Sequence, residues 1–186
     1  RRFGDWHLAL ASYNAGQGRI SRAMNTHGIE SYWGLVAHPV AVSEETRHYV
    51  PKFIVKLDTE TRDEDLDNNL ILIGGPIVNK ITDRINEHLP IKFDNGTILS
   101  TISGNTYPHD ECGIIVKSRS PFNKDKSVLV VAGKRFSGTR AAIIAFLKHF
   151  EKLKEGNVHN PEIKAKVVDG IDMDSDGIID DVEFRE

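Results

Sequence analysis

Apolar positions in the first part of the chain recur at helical spacing. In "GDWHLALASYNA", Trp6, Leu8, Leu10, Ala11 and Tyr13 give one broad apolar face, Asp5 stands near its start, and Gly16 ends the pattern. A second amphipathic stretch, "GRISRAMNTHG", is bounded by Gly18 and Gly28. A third, "SEETRHYVPKFIVKL", opens on Ser43 and places Glu44 and Glu45 where the helix dipole favours acids; Pro51 breaks or kinks it. The periodicity then stops. Residues 58–68, "DTETRDEDLDN", are polar and rich in acids, and predict a linker.

Beyond the linker the pattern alternates between strand and helix. "NLILIGG" is a short apolar run closed by two glycines, and "PIVNKITDRINEHL" predicts a helix with Pro76 at its start and Ile77, Ile81 and Ile85 on one face. "CGIIVKSR" and "KSVLVVAG" read as strands, the second apolar enough to be buried on both faces. "SGTRAAIIAFLKHFEKL" is the strongest helical stretch, with Ser137 or Thr139 as cap and Ile143, Phe146, Leu147 and Phe150 at core spacing. "IKAKVVDGI" predicts a last strand. An all-α piece is thus followed by an α/β layered domain.

The 186 residues suffice for one or two cores, and 39% hydrophobic against 27% charged residues is an ordinary globular balance. No apolar run approaches the roughly 18 residues of a membrane span. The net charge of −3 is uneven: residues 1–57 carry seven Lys/Arg and four Asp/Glu, whereas residues 172–186 alone carry seven acids against Arg185. That concentration points to a local cation site. No basic stripe with interleaved aromatics is present, which argues against nucleic acid as a partner. The lone Cys112 excludes an intrachain disulfide but not an extracellular setting. The chain opens on "RRFGDWHLALAS", without a start Met, and reads as a processed or partial piece. The glycine turns "IGGPIVN" and "SGTRAA" match no phosphate-binding pattern, and the eight scattered histidines have no zinc-ligand spacing.

The last acidic stretch, "DMDSDGIIDDVE", fits the calcium-loop pattern D-x-[DN]-x-[DN]-G-x5-E. Asp172, Asp174 and Asp176 supply carboxylates, Gly177 the sharp turn, Ile178 a backbone carbonyl, Asp180 a direct or water-mediated contact, and Glu183 two closing oxygens. Such hard oxygen donors suit Ca²⁺ better than zinc. The flanks are not helical as in an EF-hand, so a structural clamp is expected in place of a sensor.

"LALASYNAGQGRISRA", followed about thirty residues later by "EETRHYVPKFI", resembles the C-terminal half of the catalytic domain of soluble-type lytic transglycosylases, particularly the membrane-bound type D subgroup, over residues 1–57. The resemblance implies a lysozyme-like helical remnant. In that family, glycan strands of peptidoglycan are cleaved without water to a 1,6-anhydro sugar by one glutamate acting as acid and then base. By resemblance, Tyr13 orients that glutamate, Asn14 meets the N-acetylated sugar, Ala15 and Gly16 complete the turn where backbone approaches substrate, and Tyr49 lines the same cleft. The chemistry needs a carboxyl group of raised pKa. Glu30, Glu44 and Glu45 follow the turn and are wrongly placed to replace the family's upstream glutamate, so the chain is expected to be inactive alone.

Residues 69–186 resemble the S-layer-like domain of archaeal cell-surface proteins through "NLILIGGPIVNKIT", "CGIIVKSRSPFNKDKSVLVVAGKRFSGTRAAIIAFLKHF" and "AKVVDGIDMDSDGIIDDVEF". "SPFN", with Phe122, departs from an expected Asn-Pro-Trp-like segment. The fold expected is therefore α plus α/β: a lysozyme-like remnant at 1–57, an acidic linker at 58–68, and a layered α/β domain with a calcium loop at 172–183. The function expected is a piece of an extracellular, glycan-lytic transglycosylase-like protein held at the surface on cell-wall glycan or surface-layer polymer. The alternative is a noncatalytic surface-layer structural or binding module.

Overall fold

The computed structural model describes residues 17–38, 41–43 and 54–186, and the chain divides between Val55 and Lys56 into two units. In the first, α1 (Gln17–His27) and α2 (Tyr32–Ala37) bury Ile20 and Leu35 completely. α1 ends where Ile29 N–H donates to the Met24 carbonyl, and Ser31 caps α2 by accepting from Gly34 N–H. The helix expected in "GDWHLALASYNA" and most of that in "SEETRHYVPKFIVKL" lie outside the described residues.

The second unit begins at Lys56 and takes in the whole segment expected as a linker. A 3-10 turn (Asp58–Glu60) and α3 (Asp63–Leu66) fold onto the domain: Leu66 is buried, Asp58 accepts the Lys80 N–H, and Lys56 pairs with Asp65 at 2.7 Å. The main sheet has the order β1-β6-β5-β7-β8, built from Leu70–Ile73, Cys112–Arg119, Ser127–Gly133, Lys164–Ile171 and Asp181–Phe184 as β1, β5, β6, β7 and β8. Only β1 and β6 run parallel; every other pair is antiparallel. A smaller antiparallel sheet contains β2 (Ile91–Asp94), β3 (Thr97–Ser100) and β4 (Thr106–Tyr107). This small sheet, unanticipated from the apolar pattern, packs with α4 (Lys80–Ile85) on one face of the main sheet, around Ile85, Ile91, Ile98 and Ile114. α5 (Phe136–Lys148) covers the other face, with α6 (Phe150–Lys154) behind it. β6 lies between β1 and β5 and sends side chains into both cores.

Two helices differ from expectation for local physical reasons. α4 starts at Lys80 because the Asn79 carboxamide accepts from both Ile81 and Thr82 N–H groups. Residues Gly75 to Asn79 turn ahead of it, leaving Ile77 91% exposed while Ile81 and Ile85 are buried. On α5 neither expected cap acts as one. Ser137 donates to the Asp110 carbonyl, and Thr139 Oγ1 accepts from Gly133 N–H and donates to the Arg135 carbonyl. Its buried stripe is Gly138, Ala141, Ala142 and Ala145, while Leu147 is exposed and Phe150 belongs to α6. Small residues are required because α5 lies nearly against backbone. A Cβ on Gly138 would stand 2.0 Å from the Cys112 carbonyl oxygen, and one on Gly133 would stand 2.0 Å from Thr139 N.

The Glu186 carboxylate is buried where the two sheets meet. It accepts from Ser100 Oγ (2.8 Å), Tyr107 OH (2.6 Å), Asn157 Nδ2 (2.9 Å) and Ser103 Oγ. Burial opposes its charge, yet these four donors together hold its pKa below the ordinary 4.5. Burial and the adjacent carboxylate push Tyr107 up to about 12. Because the Glu186 pKa is depressed on folding, its contribution to stability is complete above the ordinary value of 4.5 and is lost as pH falls through the folded value. Glu186→Gln is expected to destabilise the protein by about 1–3 kcal/mol at neutral pH, with the gap to wild type closing under acid; urea melts across pH measure this.

Candidate metal centre

β7 and β8 form a hairpin whose register runs from Val168↔Phe184 to Ile171↔Asp181, so residues 172–180 are its loop. Asp180 N–H donates to the Ile171 carbonyl at 2.8 Å and closes the neck. Ile179 is 5% exposed and anchors the loop in the core beneath α5. Three α5-side groups hold the base: Arg140 Nε donates to the Ile179 carbonyl (2.6 Å), Lys148 Nζ donates to the Asp180 carbonyl (2.8 Å), and His149 Nε2 lies 2.9 Å from Asp181 Oδ1. The contact with His149 holds the Asp181 carboxyl below its usual range.

Asp172 organises the loop from within. Its Oδ1 accepts from Ser175 and Asp176 N–H, and its Oδ2 accepts from Gly177 N–H at 2.8 Å. These backbone donors, Gly177 first, hold its pKa below the ordinary value. Gly177 stands at φ 85°, the left-handed region that a side chain would strain, and Ser175 at φ 65° shares it. Asp176 Oδ1 accepts from Ile178 N–H, and Asp174 Oδ1 accepts from Asp176 N–H.

Carboxylate oxygens of Asp172, Asp174 and Asp176 lie within 4.8 Å of one another, close enough for the three to share one cation. The carboxylates of Asp180 and Glu183 are not part of that cluster. Asp180 Oδ2 accepts from Met173 N–H, Ile178 is 48% exposed in the loop, and Glu183 sits on β8 opposite Asp169 with Oε2 3.1 Å from Arg185 Nη1. Arg140, Lys148 and His149 carry no sequence signal for this role, since they meet the loop across 32 to 39 residues of chain. Tyr13, Asn14, Ala15, Gly16 and Tyr49, expected at a glycan cleft, lie outside the described residues.

A family model described as "S-layer like family, outer domain" matches residues 17–150, from the start of α1 to the start of α6 and short of the acidic hairpin. An uncharacterized protein of Methanocaldococcus jannaschii is 38% identical over 86 residues, 46% of this chain and 18% of its own length. An S-layer protein of the same organism is 31% identical over 98 residues, 52% of this chain and 14% of its own length. Membrane-bound lytic murein transglycosylase D of Escherichia coli is 36% identical over 59 residues, 30% of this chain and 12% of its own length. The chain therefore spans less than a fifth of the length of these relatives. No solved structure matches it.

Asp172→Ala removes the acceptor for three loop amides. Amide exchange at Ser175, Asp176 and Gly177 is expected to accelerate about tenfold or more in the metal-free protein, while the β5 and β6 amides stay protected, as hydrogen exchange read by NMR will show.

Proposed function

The chain belongs to the S-layer like family, outer domain, and from that premise we propose that it is a module of an extracellular surface layer, braced by calcium and joined to a glycan-binding helical segment. The observation that carries the surface reading is the family match over residues 17–150, and the likeness to an S-layer protein supports it. No helix among the described residues is long and apolar enough to cross a membrane.

Calcium is proposed at the hairpin. Asp172, Asp174 and Asp176 would hold the ion, with the Ile178 carbonyl, Asp180 and Glu183 as the remaining donors. Recruiting Glu183 requires it to leave Arg185. When bound, the ion supplies charge neutralisation that lets three neighbouring carboxylates remain ionised together. The protein's part is the scaffold: the Ile171–Asp180 neck, the buried Ile179 and the α5 contacts fix both ends of the loop before any ion arrives.

The glycan part rests on the Tyr13-Asn14-Ala15-Gly16 turn, on Tyr49, and on the likeness to lytic murein transglycosylase D. In this proposal the segment lies against a wall glycan strand and the parent protein is a lytic transglycosylase-like lyase. The chain without the acid glutamate binds and does not cleave. The rival reading is a noncatalytic surface-layer structural or binding module, in which the Tyr13-Asn14-Ala15-Gly16 turn has no role at peptidoglycan.

Two measurements test these statements. Calcium at a hundredfold excess over its Kd is expected to raise the melting temperature by about 5 °C or more and to lose most of that effect in Asp176→Ala; an unchanged melting curve with no heat of titration removes the clamp. The full chain is expected to pellet with purified peptidoglycan sacculi and to release no anhydro-muropeptides. Asn14→Ala is expected to reduce the pelleted fraction several-fold, and failure of the wild-type chain to pellet favours the noncatalytic module.

A further inference from the structure

At the end of the main sheet remote from the hairpin loop, β5 and β7 place Lys117 directly opposite Lys164. Like charges in direct cross-strand register destabilise a sheet unless something between them is negative. Among the described residues, neither Lys117 nor Arg119 has an ion-pair partner, and Lys164 Nζ is steered by the carbonyls of Lys154 (2.9 Å) and Pro161 (3.0 Å) instead of a carboxylate. All three cations line one cleft of about 690 Å³. A fourth lining cation, Lys92, is already neutralised by Glu87 at 2.5 Å, which leaves three lining cations without an ion-pair partner among the described residues and Glu162 as one further lining carboxylate. This accumulation occurs in a protein of net charge −3, so it is not a by-product of a basic surface.

The cleft also presents hydroxyl groups. Ser127 lines it on the same face of the sheet as Lys117, Arg119 and Lys164, and Ser118 lines it from the opposite face. No phenylalanine, tyrosine or tryptophan is among its lining residues, which removes the stacking platform that single-stranded nucleic acid requires. Cations interspersed with hydroxyls match a chain of sugars carrying oxyanions, where guanidinium and ammonium groups meet the charge and serines meet the hydroxyls.

We infer that this cleft binds an acidic polysaccharide, one bearing carboxylate or sulfate groups, through Lys117, Arg119 and Lys164. The inference rests on the reading of the chain as a surface module and names the chemistry of the polymer it meets.

The test uses the full chain in calcium-free buffer, so that no ion bridges protein to polymer. Labelled polygalacturonate, dextran sulfate, neutral dextran and a short DNA duplex are titrated by fluorescence anisotropy at low and high salt. Binding to one or both acidic glycans, weakening with salt and absent for neutral dextran, is expected; which of the two binds identifies the oxyanion. The Lys117→Gln, Arg119→Gln double variant is expected to weaken that binding about tenfold or more. Its melting temperature should be equal to or above wild type, because the cross-strand repulsion is gone, so lost binding cannot be confused with lost folding. The proposal is overturned if wild type binds neither acidic glycan, binds neutral dextran equally, prefers the DNA duplex, or is matched by the double variant. If the chain pellets with sacculi yet fails these titrations, the cleft assignment falls and the surface-module reading stands.

Discussion

The near-contact of α5 with the backbone of β5 and β6 is the constraint around which the second unit is arranged. Three glycines make it possible: Cβ atoms on Gly113, Gly133 and Gly138 would each stand 2.0–2.2 Å from backbone atoms of the opposing element. No side chain can be interposed, so the register of helix on sheet is set by main chain against main chain. The hydroxyl of Thr139 fastens it, accepting from Gly133 N–H at the end of β6. From this position α5 extends Arg140 and Lys148, with His149 just beyond its end, to the base of the acidic loop. A helix held off the sheet by side chains at these three positions would carry these groups away from the loop.

Close packing also decides which apolar residues remain outside. A stripe of Gly138, Ala141, Ala142 and Ala145 fills the space under α5, and the larger side chains are displaced to its flanks, where Ile143, Ile144 and Phe146 are half-buried and Leu147 is exposed. The helix is centred on β5, β6 and β7, so β1 at the sheet edge keeps Ile71 and Ile73 open on that face. Their neighbours in register, Leu129 and Val131, are covered. On the opposite face, Leu72 is buried by the layer containing α4 and the small sheet.

Sequence pattern located the strands of the main sheet well where they were long and apolar, as in "CGIIVKSR" and "KSVLVVAG", because burial on both faces leaves a continuous apolar run. Of the core positions it expected on α5, Ile143 and Phe146 pack half-buried against the core, whereas Leu147 is exposed and Phe150 falls on α6. Helical periodicity ranks large apolar residues as core, whereas here the deciding quantity is the distance to the sheet, which only the glycines reveal. The hairpin of β2 and β3 was missed: its strands are only four residues long and half-buried, and its signal lies in the turn, where Asn95 and Gly96 take positive φ, and not in an apolar run. Leu66 was the one hint that the acidic stretch 58–68 is folded, a single buried apolar residue among acids. Of the loop, the pattern of Asp172, Asp174, Asp176 and Gly177 was legible because its donors are local in the chain. The position of Glu183 was not, because strand pairing with Asp169 and attraction to Arg185 fix it from elsewhere.

β7 connects the two charged ends of the domain. It starts at Lys164 in the basic cleft and ends at Ile171 where the acidic loop begins, a rise of roughly 23 Å over its eight residues. At physiological ionic strength, fields are screened over about 8 Å, so these poles do not neutralise each other through solvent. Each must find its own partners: the His149 ring lies 2.9 Å from Asp181 beside the loop, and the backbone amides within the loop serve Asp172, but no carboxylate serves Lys117 or Arg119 among the described residues. The modest net charge therefore conceals a dipolar domain in which one end is built to hold its charges in place and the other leaves them available. A cation at the loop would add rigidity to a hairpin already tied to α5, whereas an anion at the cleft would relieve a repulsion that the fold leaves unresolved. The first strengthens a part of the structure that is complete, and the second completes one that is not.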